Sequence, residues 1–166
     1  MHEIGMVPAF WDQEHKILDY QREQFNNSSD IELWRKQGYR HDSFTGAMYD
    51  MRNVMPEWTN GFFNLFKGNN MAISLYRMDT GDILPMHQDT YSKYIEVYKI
   101  DDPSSIRRAI VFLEDWKPGH IFEIDGVGVS NWKKGQYVLW NYDTPHSAAN
   151  IGVEPRYTVQ VTFTHV

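Results

Sequence analysis

His87, Gln88 and Asp89 set an imidazole and a carboxylate one residue apart. On a strand, residues i and i+2 project to the same side, so both donors can reach one ion. His146, far downstream, offers a second imidazole. Two imidazoles and one carboxylate on one face of an ion leave its other positions open, a donor set that suits non-haem iron(II). The chain has no cysteine, which removes disulfides, zinc–thiolate sites, iron–sulfur clusters and a cysteine nucleophile. Any metal must therefore be held by His, Asp or Glu. With seven histidines present, an H-x-D match arises easily by chance. The bland reading of each His is a solvated or hydrogen-bonded side chain. Context favours the metal: the pair follows a strand–turn–strand run from Tyr76 to Met86, and His146 follows another run with strand character.

The elements that must hold these groups read differently in the two halves. Phe10, Trp11, Ile17, Leu18 and Phe25 recur at roughly helical spacing, which predicts a helix through 9 to 26. Asn26-Asn27-Ser28-Ser29 breaks it. Ser29 with Glu32 resembles a capping box for a short helix through Trp34, ended by Gly38. Residues 39 to 56 lack a period and read as a long loop, and Trp58 to Phe66 as a short helix. From residue 71 the period falls towards two. Strands are predicted at 71–78, 83–89, 94–100, 106–114, 120–124, 136–141, 145–150 and 156–164, with turn residues between most of them. Many short, evenly spaced strands predict a sandwich or barrel. In the last strand Tyr157, Val159, Val161 and Phe163 form a core face. Arg156, Thr158, Gln160 and Thr162 form the other, which faces either solvent or a polar pocket; alternation alone does not decide.

The length of 166 residues suits one domain, and 42% hydrophobic with 15% aromatic residues is ample for a core. The expected division is an irregular, helical region over 1–70 packed on a core over 71–166. A net charge of −6 opposes phosphate backbones, so no nucleic-acid partner is expected. No stretch has the length of a bilayer span and the first twenty residues lack a signal-peptide pattern, so a soluble cytoplasmic protein with no membrane partner is the expectation.

The run from Tyr76 to Val166 resembles the Fe(II)/2-oxoglutarate oxygenases, both their prolyl-hydroxylase-like members and the aspartyl/asparaginyl β-hydroxylase group. The residues that carry the resemblance are His87-x-Asp89, His146 with Asn150, and Arg156-Tyr157-Thr158, together with Trp132 through Gly135 and Trp140. The β-hydroxylase group generally lacks the carboxylate that Asp89 supplies, so the likeness is to the wider superfamily. It implies a mainly β fold with N-terminal helices, built on a double-stranded β-helix (jelly-roll) core of about eight strands. It implies Fe(II) held by His87, Asp89 and His146, 2-oxoglutarate as cosubstrate and O2 as co-reactant. The basic residue about ten places after the distal His binds the C5 carboxylate in such enzymes, and Arg156 occupies that place. A guanidinium matches a carboxylate at two points. Thr158 shares its face, and Tyr76 resembles a tyrosine that touches the same carboxylate. The implied reaction is hydroxylation of an amino-acid-like small molecule or a peptide side chain, with release of succinate and carbon dioxide.

Other residues have plainer expectations. His120 reads as structural, and His2, His15, His41 and His165 as solvated. One of Arg107 and Arg108 can point inward to substrate or cosubstrate. Trp140, Tyr91 and Tyr94 are candidates for the substrate mouth. Two rival readings stay open: a cupin-type metal enzyme that does not use 2-oxoglutarate, and a metal-free β-sandwich binding or structural module.

Overall fold

The computed structural model describes residues 1–25, 27–40, 44 and 46–165. In chain order it contains β1 (His2–Met6), β2 (Gln21–Arg22), α1 (Ser28–Lys36), β3 (Ala47–Asp50), α2 (Asn60–Leu65), β4 (Asn69–Met78), β5 (Ile83–His87), α3 (Ser92–Tyr98), β6 (Ile106–Phe112), β7 (His120–Ile124), β8 (Val127–Val129), β9 (Gln136–Asn141), β10 (His146–Asn150) and β11 (Arg156–Thr164). Short 3-10 turns lie at Gln13–Lys16, Glu57–Thr59 and Pro103–Ser105. Two antiparallel sheets face one another. The larger runs β1-β9-β6-β11-β4-β3-β2 and the smaller β5-β10-β7-β8. This is the mainly β, double-stranded β-helix architecture expected from the sequence.

The larger sheet is covered on both faces, which explains why β11 is buried along most of its length. Val159, Val161 and Phe163 pack outward with Leu75, Val111, Trp11, Tyr20, Phe62 and Phe66. The N-terminal region therefore supplies one core layer, and its strands β1, β2 and β3 also extend the sheet. The opposite face looks between the sheets. There Tyr76, Met78, Ile110, Phe112, Val138 and Trp140 meet Phe122, Ile124 and Ala148 of the smaller sheet. Residues directly opposite in a ladder share a face. Thr158 lies opposite Tyr76 and Phe112, and Thr162 opposite Arg108. The polar face of β11 thus looks between the sheets rather than into solvent.

Several sequence expectations are corrected. Of the helix expected over 9–26, the described residues 9–25 form an irregular segment with one 3-10 turn and β2, and residue 26 lies outside the described residues. Tertiary anchors override the helical spacing: the Trp11 indole donates to Leu113 O at 2.9 Å, and Tyr20 and Trp11 are buried while Ile17 is exposed. The cap of α1 is Asn27, whose side chain accepts from Ser29 N and Asp30 N, so the helix starts earlier than the Ser29 box suggests. Within the expected loop at 39–56, β3 forms by pairing with β4. The strand expected at 94–100 is α3. Its β-branched and aromatic run has no strand partner among the described residues, whereas Tyr94 and Tyr98, one helical turn apart, meet in a tilted ring contact at 4.9 Å and donate to Asn70 O and Met71 O. Strands β1, β2 and β8 were not foreseen. His15, expected in solvent, is fully buried; Nδ1 contacts Asp12 O at 2.7 Å and its ring meets Tyr157 edge-on. His41 lies outside the described residues. Among the described residues no helix is long and apolar enough to cross a membrane.

Candidate metal centre

The smaller sheet brings the two histidines together. His146 opens β10 and sits directly opposite His87, the last residue of β5. The register holds an irregularity that matters. Ala148 pairs with Leu84, so two steps along β10 correspond to three along β5. Strict alternation would turn residues 84 and 87 to opposite faces. The extra residue, within Pro85-Met86, restores His87 to the inner face. Proline suits this place because it has no ladder N–H to lose.

Asp89 lies just beyond the strand, and its carboxylate closes the triad. His87 Nε2 stands 3.4 Å from Asp89 Oδ1, and His146 Nε2 stands 3.6 Å from Asp89 Oδ2. Ligand atoms of all three residues lie within 4.8 Å of one another, and the two imidazole centroids are 4.3 Å apart. His87 Nδ1 contacts Pro85 O at 2.8 Å and His146 Nδ1 contacts Thr144 O at 3.1 Å. Each carbonyl selects the Nδ1–H tautomer and leaves the Nε2 lone pair aimed at the common point. His87 Nε2 is buried without a hydrogen-bond partner. Burial lowers His146 to about 4, so it is neutral and able to ligate near pH 7. Burial alone would raise the Asp89 carboxyl, but the Arg108 guanidinium 2.6 Å away outweighs it and holds it well below the usual carboxylate range. Two imidazoles whose Nε2 atoms converge beside an ionised carboxylate fit a divalent metal.

The N-terminal region clamps this site, which the sequence did not reveal. Phe25 and Trp34 meet the His87 ring edge-on at 4.9 and 5.9 Å, and the Trp34 indole donates to Met86 O at 3.2 Å. Arg108 is the other residue the motif reading left unplaced. Its Nη1 donates to Asp89 Oδ2 at 2.6 Å and its Nε to Thr162 Oγ1 at 3.2 Å. Arg107 points to the outer face and bonds the Asn141 side chain. His120 is structural: Nε2 contacts Glu154 O, and its ring lies over Trp132.

Arg156 begins β11 on the inter-sheet face and is 3% exposed. Nη1 donates to Ile121 O at 2.9 Å; Nε is buried without a partner. Among the described residues no carboxylate lies within ion-pairing distance of it. Burial lowers its guanidinium to about 10. Asn150 aims this residue. Its fully buried side chain donates to Met78 O and Glu154 O and accepts from Gly152 N, shaping the turn that delivers Arg156. Two residues further along β11, the Thr158 hydroxyl is also buried without a partner, and Tyr76 lies opposite it.

No protein-family model and no curated protein matches the sequence. Solved structures do. A prolyl-4-hydroxylase from Pseudomonas putida superposes with a TM-score of 0.60 at 14% identity, covering 99% of this chain and 92% of that one. A cupin domain of an XRE-family transcriptional regulator from Enterobacter cloacae gives 0.45 at 11% identity over 72% of this chain and 96% of that one. A protein from Thermotoga maritima described as a predicted oxalate decarboxylase gives 0.44 at 13% identity, over 72% and 80%. The hydroxylase match extends over nearly the whole of both chains and shows a shared double-stranded β-helix fold. The class that fold and site define is thus a double-stranded β-helix protein with a His–Asp–His cluster able to hold a metal ion.

Proposed function

We propose that the chain, as a single domain, is an Fe(II)- and 2-oxoglutarate-dependent dioxygenase. His87, Asp89 and His146 hold the iron. Arg156 receives the C5 carboxylate of 2-oxoglutarate, with the Thr158 hydroxyl as an added donor and Tyr76 on the same face. When bound, iron and 2-oxoglutarate supply with O2 the oxidising power for hydroxylation, yielding hydroxylated product, succinate and carbon dioxide. The protein holds its ligands in one tautomer, screens the centre with Phe25 and Trp34, and keeps a cation ready for the cosubstrate.

The observation that carries this reading is Arg156. A buried guanidinium is costly unless an anion pairs with it. Here the charge is buried between the same two sheets as the triad, with a carbonyl but no described carboxylate beside it. A cupin-type enzyme that binds only a metal gives this charge no purpose, and a metal-free module leaves the lone pairs of His87 and His146 without one. The substrate is an amino-acid-like small molecule or a peptide side chain. The P. putida protein is named a prolyl-4-hydroxylase, which agrees with the reaction class.

Calorimetry tests the reading. Mn(II) should bind, and 2-oxoglutarate should bind only when Mn(II) is present. Metal binding without cosubstrate binding favours the cupin-type enzyme, and binding of neither favours the module. Succinate release with Fe(II), measured over an amino-acid and peptide panel, then tests turnover.

A further inference from the structure

Arg108 is not used up by the site described above. A guanidinium carries five N–H donors. One goes to Asp89 and one to Thr162; the rest have no partner among the described residues. The side chain retains 20% exposure, so a ligand can reach it. Its guanidinium carbon lies over the Tyr91 ring, 4.7 Å from the centroid. Tyr91 adopts left-handed backbone angles, φ 53 and ψ 20, uncommon for a residue of its size. Such a conformation persists where the surroundings over-determine it, often at a ligand site.

Two more donors converge here without acceptors. Tyr91 is 6% exposed, and its hydroxyl lies beside Asp89 and the Trp140 indole without a hydrogen bond of ordinary geometry to either. Trp140 is 1% exposed, lies directly opposite Arg108 in the ladder and has its ring tilted against His146, centroids 5.0 Å apart. Its indole N–H is also without a partner. An indole N–H can only donate. The nearby acceptor, Asp89, is committed to the metal. What this corner lacks is an acceptor-rich anion, and a carboxylate is the natural complement of a guanidinium fork.

The neighbouring groove, which meets this corner at Asp89 rather than at Arg108 itself, narrows the choice. A groove of about 280 Å³ opens on Asp89 and carries Asp30 and Asp143. Neither forms an ion pair among the described residues, and Asp30 Oδ2 is a buried atom without a partner. These charges oppose a purely anionic ligand and favour one that also bears a cation.

We propose that Arg108, Tyr91 and Trp140 form a carboxylate-receiving subsite beside the metal centre, and that the substrate is a small zwitterionic amino acid docked there by its free carboxylate. This rests on the oxygenase reading and narrows its substrate class. Free amino acids then bind and C-terminally blocked peptides do not.

The test titrates chain loaded with Mn(II) and 2-oxoglutarate with the common L-amino acids, then with the carboxamide of each one that binds. At least one amino acid should bind, with its carboxamide about a hundredfold weaker, because a site built for a polar group rejects an analogue lacking it. Arg108→Lys keeps a cation beside Asp89 but loses the fork, and should weaken amino-acid binding at least tenfold more than 2-oxoglutarate binding. Tyr91→Phe removes only the hydroxyl and gives the same split if the lysine variant does not fold. Four results overturn the proposal: no amino acid binds, acid and amide bind alike, only blocked peptides bind, or amino acid and 2-oxoglutarate weaken equally in the variants. If 2-oxoglutarate itself fails to bind wild-type chain with Mn(II), the oxygenase reading falls, a result distinct from these four.

Discussion

Replacing Arg156 by methionine separates a cosubstrate anchor from a structural cation by sign as well as size. Burial lowers the guanidinium from 12.5 to about 10. At 1.36 kcal/mol for each tenfold change, the charged form is penalised by roughly 3 kcal/mol in the folded chain. At pH 7 the group is protonated whether folded or not. Its folded value is the lower one, so the penalty is fully present there and is relieved only as pH rises through about 10. Arg156→Met removes the penalty and also the bond to Ile121 O, worth about 1–2 kcal/mol. Ligand-free variant should therefore be more stable than the parent by about 1–2 kcal/mol, a rise of roughly 2–8 °C in Tm. Cosubstrate binding should move the other way. Losing one partner of a buried charge pair costs about 2–5 kcal/mol, so 2-oxoglutarate affinity should fall from roughly 30-fold to several thousand-fold. Scanning calorimetry without ligand and isothermal titration with Mn(II) and 2-oxoglutarate read the two halves. A variant less stable than its parent without ligand, or one that keeps the parent's cosubstrate affinity, refutes the argument.

Other perturbations probe the surroundings. Asp89→Ala should abolish succinate release and Mn(II) binding while leaving Arg108 unpaired; full turnover would strike Asp89 from the ligand set. Trp34→Ala removes a side chain 1% exposed that clamps His87. It should cost about 3–5 kcal/mol in denaturant titrations and weaken Mn(II) binding about tenfold or more, and unchanged metal affinity would contradict the clamp. Glu114 pairs with Lys16 and Lys117. Burial would raise its carboxyl, but the two lysines hold it below its ordinary 4.5. It therefore contributes stability above pH 4.5 that is lost as pH falls through the lower folded value. Glu114→Gln should flatten the acid limb of urea-unfolding stability measured from pH 3 to 7, and an unaltered limb would count against the pairing.

The core strands were largely legible because their pattern is local. The ranges 120–124, 136–141 and 156–164 follow from alternation and turn residues, and the structure matches them. The His87, Asp89 and His146 cluster was legible from the H-x-D spacing only together with the family resemblance, because 7 His and 22 Asp and Glu leave many candidate donors even without cysteine. The 94–100 segment was misread because a short β-branched run fits strand or helix, and only its tyrosines reaching Asn70 and Met71 fix the helix. The N-terminal region was opaque for a related reason: Trp11, Tyr20 and Trp34 are placed by partners far along the chain. Tyr91, Trp140 and the Arg107/Arg108 pair were visible as candidates, but nothing local says which arginine turns inward.

By itself the sequence determined the alphabet of the site and the order of the strands that carry it, because side-chain chemistry and two-residue alternation are properties of a few adjacent positions. Tertiary structure decided the rest. Pairing with β10 fixes the irregularity that returns His87 to the inner face. Facing sheets decide that Arg156 and Thr158 look inward rather than to water. The N-terminal layer covers His87, and Arg108 meets Asp89. Each of these depends on a partner that folding alone brings within a few ångströms.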